Sequence, residues 1–438
     1  MSILLKLKKQ HLKLKSKQEK ESSPVDMNRV LAIILCGGEG KRLFPLTTSR
    51  CKPAISFGGK YRLIDIPISN SINSKCLKIF IITQFLSASL HSHVNKTYHP
   101  GSYSTGFIEL LSAEQKPENK NWFSGTADAV RQNIEYFLDI PVDYFLILSG
   151  DQLYHMDFQK IVSFAKTTNA HLTVAALPIK EKEEARRMGL LKTDKNSLIV
   201  DFFEKPQDEE TLESFRIKGH KTYLASMGIY LFKREVLLKL LEKDPREDFG
   251  KHLIPTEIKN GKTFAYIHEG YWEDIGTVSS YYHANMALTK QNPKFNLYDE
   301  NHPIFTTHQN LSPPKIFGTK ITESIISEGS VVEASEIYGS ILGTRSVIKE
   351  GSIIKNSYII GNDYYSSPVA SKTGNKPFEI GKRSILKKAL VDKHVHIGDD
   401  VQLINKNNLT TYNSDDIYIR DGIIIVTRGA SIPNGFIL

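Results

Sequence analysis

The sequence predicts two domains: an α/β sheet domain over residues 28–295 and a parallel β-helix over residues 317–438. Three observations lead to this prediction. Apolar segments of strand length alternate with segments of helical length in the first part, which is typical of α/β proteins. A linker marked by prolines spans residues 296–316. After the linker, apolar residues recur every six positions, a period typical of parallel β-helices.

The elements of the first domain follow from its hydrophobic pattern. Strands are predicted over the mostly apolar runs 30–35, 77–83, 144–148, 198–203 and 225–230. Helices are predicted over 84–94 and over 126–138, where Ala129, Ile134, Tyr136 and Phe137 fall at helical spacing in the second helix.

The predicted β-helix rests on four stretches that keep a six-residue period. Chance alternation in a β-rich domain is the alternative, and four stretches sustained over this length make it the weaker interpretation. The periodic residues are Ile325, Val331 and Ile337; Ile341, Val347, Ile353 and Ile359; Ile385, Val391, Ile397, Leu403 and Leu409; and Val426, Ile432 and Leu438.

Composition places the chain among ordinary globular proteins, with 40% hydrophobic and 24% charged residues. No apolar run approaches the roughly 20 residues that span a bilayer, so no membrane segment is predicted. The three cysteines lack the number and spacing of a disulfide framework or a metal site. We therefore expect a reducing compartment, the cytoplasm.

The net charge of +9 comes partly from the first residues, because residues 1–26 hold seven lysines and only three acidic residues. Residues 1–27 are predicted to be a basic, disordered extension. A nucleic-acid partner is not expected, since the chain has no basic stripe with interleaved aromatic residues.

A glycine-rich loop follows the first predicted strand. Gly37, Gly38 and Gly40 would let a ligand approach the main chain, and bare N–H groups in such a loop favour an anion. The pattern is neither a P-loop nor a dinucleotide fingerprint. The glycines alone do not distinguish a loop that binds a polyphosphate from an ordinary glycine turn. Many cations follow: Lys41, Arg42, Arg50, Lys52, Lys60 and Arg62.

Asp151 directly follows the apolar strand 144–148. Ligands of open α/β sheets lie beyond the carboxyl ends of the strands, and a carboxylate suits Mg²⁺. A lone Asp after a strand is more often a turn or helix-cap residue, so both interpretations stand at this point.

Longer motifs carry a family resemblance. G-G-E-G-K-R-L-F-P-L-T at 37–47, R-C-K-P at 50–53 and F-G-G-K-Y-R-L-I-D-I-P-I-S-N at 57–70 resemble the nucleotidyltransferases that make sugar nucleotides, and among them the ADP-glucose pyrophosphorylases. The resemblance implies a Rossmann-like mixed sheet domain followed by a left-handed parallel β-helix. It also implies the reaction of ATP with α-D-glucose 1-phosphate to give ADP-glucose and pyrophosphate, the committed step of glycogen or starch synthesis.

The resemblance assigns roles to individual residues. S-G-D-Q-L-Y-H-M-D-F at 149–158 and W-E-D-I-G-T at 272–277 make Asp151 and Asp274 the Mg²⁺ ligands, with Arg42 and Lys52 as catalytic cations. Gln152 departs from the family pattern, in which His is common. The implied nucleotide contacts are Leu35, Gly37, Gly38, Gly40, Gln115, Gly125 and Thr126, where residues 125–127 also open a predicted helix with free N–H groups. The implied contacts of glucose 1-phosphate are Gly189, Glu204, Lys205 and Ser226.

Regulation is implied by the same resemblance. Plant and cyanobacterial relatives are tetramers that respond to 3-phosphoglycerate and to inhibitory phosphate, so we expect a homotetramer with a phosphate-bearing effector. The residues implied in effector binding are Arg50, Arg62, His93, Lys406 and Arg428.

Three other functions remain open. A sister enzyme would use UTP, dTTP or GTP, and a non-catalytic regulatory subunit would bind the same ligands without turnover. Asp151, Asp274, Arg42, Lys52 and Lys205 are all present, which favours activity. An acyltransferase built on the β-helix would need a catalytic histidine, and the candidates for it are His394 and His396.

Overall fold

The structure is a computed structural model that describes residues 25–99, 101, 106–114, 121–217, 219–366 and 376–438. Within these residues a nine-stranded mixed sheet forms the first domain. In chain order the strands of this domain are β1 Val30–Cys36, β2 Ser56–Phe57, β3 Tyr61–Arg62, β4 Lys78–Thr83, β5 Phe107–Ser112, β6 Tyr144–Ser149, β7 Gln152–Tyr154, β8 Leu172–Ile179, β9 Gly189–Thr193, β10 Ile199–Glu204, β11 Tyr223–Lys233, β12 Thr263–Ile267 and β13 Trp272–Asp274.

The sheet runs in the order β10-β9-β11-β6-β1-β4-β5, with β8 pairing both β11 and β12. Strand β1 pairs in parallel with β4 and β6, whereas β11 pairs antiparallel with β6. Two short ribbons, β2–β3 and β7–β13, lie outside the main sheet. The predicted α/β fold with a mixed sheet is therefore confirmed.

Strand β1 is apolar along its whole length because both faces of the sheet are covered. Leu31 and Ile33 pack into one hydrophobic core, and Ala32 and Ile34 pack into another. The helices of the domain are α1 Asp65–Asn73, α2 Ala88–Thr97, α3 Thr126–Gln132, α4 Glu135–Leu138, α5 Phe158–Thr168, α6 Lys182–Ala185, α7 Glu209–Ser214, α8 Arg234–Lys243, α9 Ile254–Ile258 and α10 Val278–Ala287.

Two predicted helices differ from the observed ones. Helix α2 begins at Ala88 rather than at residue 84, because Leu86 has a φ of 43° and its carbonyl accepts the Cys51 N–H at 3.2 Å. The single helix predicted over 126–138 is two helices, α3 and α4. They are separated at Asn133, whose side-chain amide donates to the carbonyl of Ala129 at 2.8 Å.

The second domain is a coil of short parallel strands. Ile325 pairs with Ile341, so that coil takes sixteen residues, and Ile341 pairs with Tyr358, so the next takes seventeen. Its strands are β14 Lys315–Ile316, β15 Lys320–Thr322, β16 Ile325–Ile326, β17 Val331–Val332, β18 Glu336–Tyr338, β19 Ile341–Leu342, β20 Val347–Ile348, β21 Ile353–Lys355, β22 Tyr358–Ile359, β23 Ile385–Lys387, β24 Ala389–Val391, β25 His396–Ile397, β26 Gln402–Leu403, β27 Thr411–Asn413, β28 Ile417–Arg420, β29 Ile423–Val426 and β30 Ser431–Ile432.

Strands of successive coils stack into faces, such as β15-β18-β21-β23-β26. The predicted period marks these strands, but the inward register is shifted at several of them. Val331 and Val347 are half-buried, while Val332 and Ile348, which follow them, are fully buried. At these two strands the neighbouring residue fills the core, whereas periodic residues such as Ile337 and Ile341 are themselves buried. The period finds most of the strands, but Leu409 and Leu438 lie in none.

The two domains meet at the turn between β2 and β3. Within the first domain, the N–H of Gly58 donates to the side chain of Asn285 at 2.9 Å. The N–H of Gly59 donates across to the Tyr358 hydroxyl of the β-helix at 3.3 Å. A Cβ built on Gly59 would lie 2.4 Å from Oγ of Ser327 in the β-helix. Only glycine therefore fits this contact without displacement.

The antiparallel hairpin β27–β28 extends from the β-helix toward the loop after β1. Tyr418 contacts Phe44 edge to face, with ring centroids 5.2 Å apart. Within the described part of the chain, no helix is long and apolar enough to cross a membrane.

Candidate active site

Two adjoining cavities lie at the carboxyl ends of β1 and β6. The main cavity, of about 490 Å³, is lined by loop residues after both strands, by residues at the end of β10 and by residues in the middle of β11. The loop cavity, of about 360 Å³, lies on the side of Gly40 and Arg42. Leu35, Gly38 and Asp151 line both cavities, so the two form one continuous cleft.

The glycine loop lies between the main cavity and the loop cavity. Gly40 has a φ of 65°, and a Cβ built on it would lie 3.1 Å from Cγ2 of Thr47. A Cβ on Gly38 would meet nothing within 4 Å, so the backbone there borders open space. In the described residues the N–H groups of Gly38 and Gly40 donate to no protein acceptor. This arrangement suits a phosphate group.

Lys52 joins the two predicted metal ligands. Its Nζ lies 2.7 Å from Oδ2 of Asp151 and 3.1 Å from Oδ1 of Asp274. The ribbon β7–β13 brings the two carboxylates together, because Asp274 pairs with Gln152, the residue after Asp151. The predicted catalytic cation and both predicted carboxylates therefore form one cluster.

Lys52 stays protonated and Asp151 stays ionised at neutral pH. Burial would lower the pKa of Lys52, but the carboxylates of Asp151 and Asp274 outweigh burial and raise it. Burial would raise the pKa of Asp151, but the Lys52 ammonium and the Ser149 hydroxyl outweigh it and hold the pKa below the ordinary value.

The donor set of this cluster fits Mg²⁺. Mg²⁺ takes hard oxygen ligands and is commonly held by one or two carboxylates together with substrate phosphates. Asp151 and Asp274 provide two such carboxylates beside a loop that suits phosphate. The described residues contain no group of three or more His, Cys, Asp or Glu arranged to hold a metal ion.

Arg42 completes the cationic side of the loop cavity. Its guanidinium lies against Gly276, where a built Cβ would be 3.3 Å from the terminal nitrogen. Arg42 and Lys52 both line this cavity. The structure therefore brings the two predicted catalytic cations to the same side of the glycine loop.

Glu204 and Lys205 lie at the far end of the main cavity, where β10 ends. The Lys205 ammonium is 2.9 Å from the Glu204 carboxylate and is itself half-exposed. Gly189 and Gly250 flank this carboxylate, since a Cβ on either would lie 2.6 Å from Oε2. Gly189 and Ser226 do not themselves line the cavity; Ser226 Oγ accepts the N–H of Gly228, which does.

The start of α3 differs from the sequence expectation. Gly125 and Thr126 line the main cavity, but the N–H groups of Ala127 and Asp128 donate to the carbonyl of Glu247 at 2.8 and 3.1 Å. The expectation of free N–H groups over residues 125–127 is therefore wrong for Ala127. Gln115 lies outside the described residues.

Sequence reasoning missed several residues that line the main cavity. Asp248 accepts a hydrogen bond from the Thr126 hydroxyl at 3.2 Å, and Tyr230 lies on the β11 side with its pKa raised by burial and by nearby Glu204. The acid–aromatic–glycine triplet that begins at Asp248 was the available signal. Gln152, next to the metal ligand, was noted only as a departure from a family pattern.

Comparison with known families agrees with this geometry. Residues 31–291 match the nucleotidyl transferase family, which is more than half of the chain. The chain belongs to that family. Residues 309–437 match the GLGC left-handed parallel beta-helix domain. This domain order is the architecture of ADP-glucose pyrophosphorylases, so the predicted resemblance and the predicted left-handed β-helix are confirmed.

Three of the five residues predicted to bind an effector, namely Arg50, Arg62 and His93, contact other residues of this nucleotidyl transferase. Arg50 is buried and forms an ion pair with Asp392 of the β-helix. His93 is buried, with Nε2 2.5 Å from the Asp65 carboxylate. Arg62 donates to the carbonyl of Ser89 at 2.7 Å. Each already has a protein partner.

A cluster of charges, here called the seam cluster, lies around Asp363 of the nucleotidyl transferase. Lys393, His394 and Arg428 approach its carboxylate at 2.6, 3.0 and 3.7 Å. Burial lowers the pKa of Lys393, as do nearby Arg62 and Arg50. Lys406 is exposed and forms no ion pair with a described residue. The structure thus brings Arg428 into the cluster, leaves Lys406 outside it and adds Lys393, which sequence reasoning missed.

Proposed function

We propose that this nucleotidyl transferase is a glucose-1-phosphate adenylyltransferase, which converts ATP and α-D-glucose 1-phosphate to ADP-glucose and pyrophosphate. The observation that carries the proposal is the cluster of Lys52, Asp151 and Asp274, which lies in the same cleft as the glycine loop and the Glu204–Lys205 pair. The choice of ATP and glucose rests on F-G-G-K-Y-R-L-I-D and W-E-D-I-G-T, which resemble the ADP-glucose branch of the family.

The reaction follows from this arrangement. A phosphate oxygen of glucose 1-phosphate attacks the α-phosphorus of ATP, and the bond from that phosphorus to the oxygen bridging to the β-phosphorus breaks as pyrophosphate leaves. Lys205 holds the attacking phosphate, while the glycine loop binds the triphosphate on N–H groups. Arg42 and Lys52 balance its negative charge. Mg²⁺, held by Asp151 and Asp274, supplies further charge neutralisation when bound.

The protein performs little covalent chemistry in such a transfer. Positioning and electrostatic stabilisation dominate phosphoryl-group reactions. The buried Lys52 and the narrow loop cavity serve both purposes, because they fix charge beside the triphosphate and limit water around it.

We also propose a homotetramer that works in the cytoplasm and responds to a phosphate-bearing effector such as 3-phosphoglycerate. The support is the resemblance together with the cations of the seam cluster, Lys393 and Arg428. A phosphate there would compete with Asp363 for both cations. Inorganic phosphate would act at the same place as an inhibitor.

An acyltransferase is disfavoured by the placement of the β-helix histidines. His394 lies 3.0 Å from Asp363 and stacks on Phe378, and His396 Nδ1 lies 3.0 Å from the carbonyl of Pro377. Neither histidine lines the main cavity or the loop cavity.

The test is pyrophosphate release by the purified chain with glucose 1-phosphate and Mg²⁺, across ATP, UTP, dTTP and GTP. Turnover with ATP far above the others supports the proposal, and a preference for another nucleotide identifies a sister enzyme. Ligand binding without turnover identifies a regulatory subunit. Asp151→Asn should abolish turnover, whereas Asp201→Asn, an exposed carboxylate on β10, should leave it unchanged.

A further inference from the structure

The side-chain amide of Gln152 has a fixed orientation. Its Oε1 accepts the indole N–H of Trp272 at 3.2 Å. An indole nitrogen can only donate, so the amide oxygen, and not the nitrogen, faces Trp272. The amide nitrogen Nε2 must then face away from Trp272. The hydrogen-bond network, rather than the side chain's shape, fixes this assignment.

The amide nitrogen lies over Gly228 at the main cavity. A Cβ built on Gly228 would be 3.1 Å from Nε2, so the missing side chain leaves room for the amide. Gly228 has a φ of 70° and is held by the hydrogen bond from its N–H to Ser226 Oγ. Both Gln152 and Gly228 line the main cavity.

Gln152 is only 8% exposed, yet no acceptor in the described part of the chain bonds Nε2. Nε2 is not one of the fully buried side-chain atoms that lack a partner, so it reaches the main cavity, where water can accept its hydrogen bond. A ligand that fills the main cavity would remove the remaining water from Nε2. A ligand acceptor at this position would replace that water, whereas a ligand without one would leave the donor unpaired.

The neighbours of Nε2 indicate which part of a ligand lies there. Glu204 and Tyr230 line the same cavity and do not line the loop cavity of Gly40 and Arg42. The phosphate-binding groups of the proposed function lie at the glycine loop, at Lys52 and at Lys205. A neutral amide donor beside Gly228 suits a hydroxyl oxygen better than a phosphate, which attracts charged donors.

We propose that Gln152 is a specificity-determining residue that donates a hydrogen bond from Nε2 to a ring hydroxyl of the hexose phosphate. Trp272 is its positioning residue, because the indole N–H holds the amide in the donating orientation. The inference rests on the proposed function and names the group that reads the sugar.

The first test compares glucose 1-phosphate with its 2-, 3-, 4- and 6-deoxy analogues. The native chain should lose roughly tenfold to hundredfold in kcat/KM on the one analogue that lacks the contacted hydroxyl, as expected when a buried donor loses its acceptor. Gln152→Leu should show a loss of that size on glucose 1-phosphate and no additional loss on that analogue. The KM for ATP should change less than twofold, on the order of measurement error.

Further variants separate donation from shape. Gln152→Glu keeps the acceptor for Trp272, loses the donor and adds a negative charge beside Asp151, so its loss should be at least as large as that of Gln152→Leu. Gln152→His pairs one acceptor with one donor in the neutral ring and should recover activity. Trp272→Phe keeps an aromatic ring but frees the amide to rotate, so it should weaken the discrimination between glucose 1-phosphate and the deoxy analogue.

The inference is overturned if Gln152→Leu and Gln152→Glu stay near native activity on every analogue while the native enzyme turns over glucose 1-phosphate; the proposed function would then stand. If the native chain shows no turnover with any nucleotide, the proposed function fails, and calorimetric binding of glucose 1-phosphate and its deoxy analogues replaces the kinetic comparison. Binding that is absent, or equal in native chain and Gln152→Glu, overturns the inference. Circular dichroism checks that each variant is folded.

Discussion

The ammonium of Lys52 lies 2.7 Å from the carboxylate of Asp151, inside the cleft and with only 7% of the residue exposed. Oδ1 of Asp274 lies 3.1 Å from the same nitrogen. The ammonium therefore occupies the space between the two carboxylates that a divalent cation would need.

Lys52→Met should increase the affinity of the chain for Mn²⁺ in the absence of nucleotide, because the two carboxylates then lack a counter-charge. Turnover should fall at the same time. Electron paramagnetic resonance of free Mn²⁺ measures the binding directly. Lys192→Met, which removes a cation paired with Asp201 on the sheet surface, should leave Mn²⁺ binding unchanged. Equal Mn²⁺ affinity in native chain and Lys52→Met would contradict the prediction.

Lys205→Ala should raise the KM for glucose 1-phosphate roughly tenfold to hundredfold, as expected for the loss of a charge-assisted hydrogen bond of about 1.5–3 kcal/mol. The KM for ATP should change far less, because Lys205 lies at the end of the cleft away from Gly40 and Arg42. Steady-state kinetics with each substrate varied in turn checks this. An equal loss for both substrates would remove Lys205 from the sugar-phosphate side.

Gly59→Ala should destabilise the chain more than Gly261→Ala. Both glycines have positive φ, 90° and 79°, so each substitution should cost about 1–2 kcal/mol in backbone strain. Only at Gly59 does the new Cβ meet Ser327, 2.4 Å away, which should add about 1–3 kcal/mol. Denaturant unfolding measures both values. If the two variants unfold alike, the contact between the domains is not as tight as the structure has it.

Asp363→Asn should lower the free energy of unfolding by about 1 kcal/mol at pH 7, a modest amount because solvent reaches 38% of the side chain and screens its ion pairs. Burial would raise the pKa of Asp363, but His394 and Lys393 outweigh it and hold the pKa well below the usual range. The contribution of a carboxylate with a depressed pKa is complete above its unfolded value and is lost as pH falls through its folded value. The stability difference between native chain and Asp363→Asn should therefore persist down to about pH 4 and shrink below it.

Thermal unfolding across pH 2–7 checks this expectation. Asp415→Asn, an exposed carboxylate in the same domain, is the matched control and should differ little from the native chain at any pH. A difference that already declines well above pH 4 would contradict the depressed pKa of Asp363.

The sequence predicts what depends on local pattern. Strand β1 can be recognised in the sequence because both its faces are buried, which gives a continuous apolar run. The strands of the β-helix can be recognised because each coil buries apolar residues at similar positions. Asp151 and Asp274 can be predicted as metal ligands because each lies in a longer motif that resembles the family.

The sequence does not predict pairings between distant side chains. Arg50 and His93 appear in it as cations free to bind an effector, but Arg50 is paired with Asp392, 342 residues away, and His93 with Asp65. The buried Asp65 also accepts the hydroxyls of Tyr98 and Thr306, both at 2.7 Å. A single sequence does not indicate which distant residue a charged side chain will pair with, so only the structure could identify these contacts.

The edge-to-face contact between Phe44 and Tyr418 bears on any attempt to recombine domains among relatives. A chimera that takes its β-helix from another parent also replaces the hairpin that rests beside the glycine loop. Its catalytic properties would then depend on whether the new hairpin offers a ring of similar size at that point. Crossover sites should accordingly be chosen so that Phe44 and Tyr418 are inherited from the same parent.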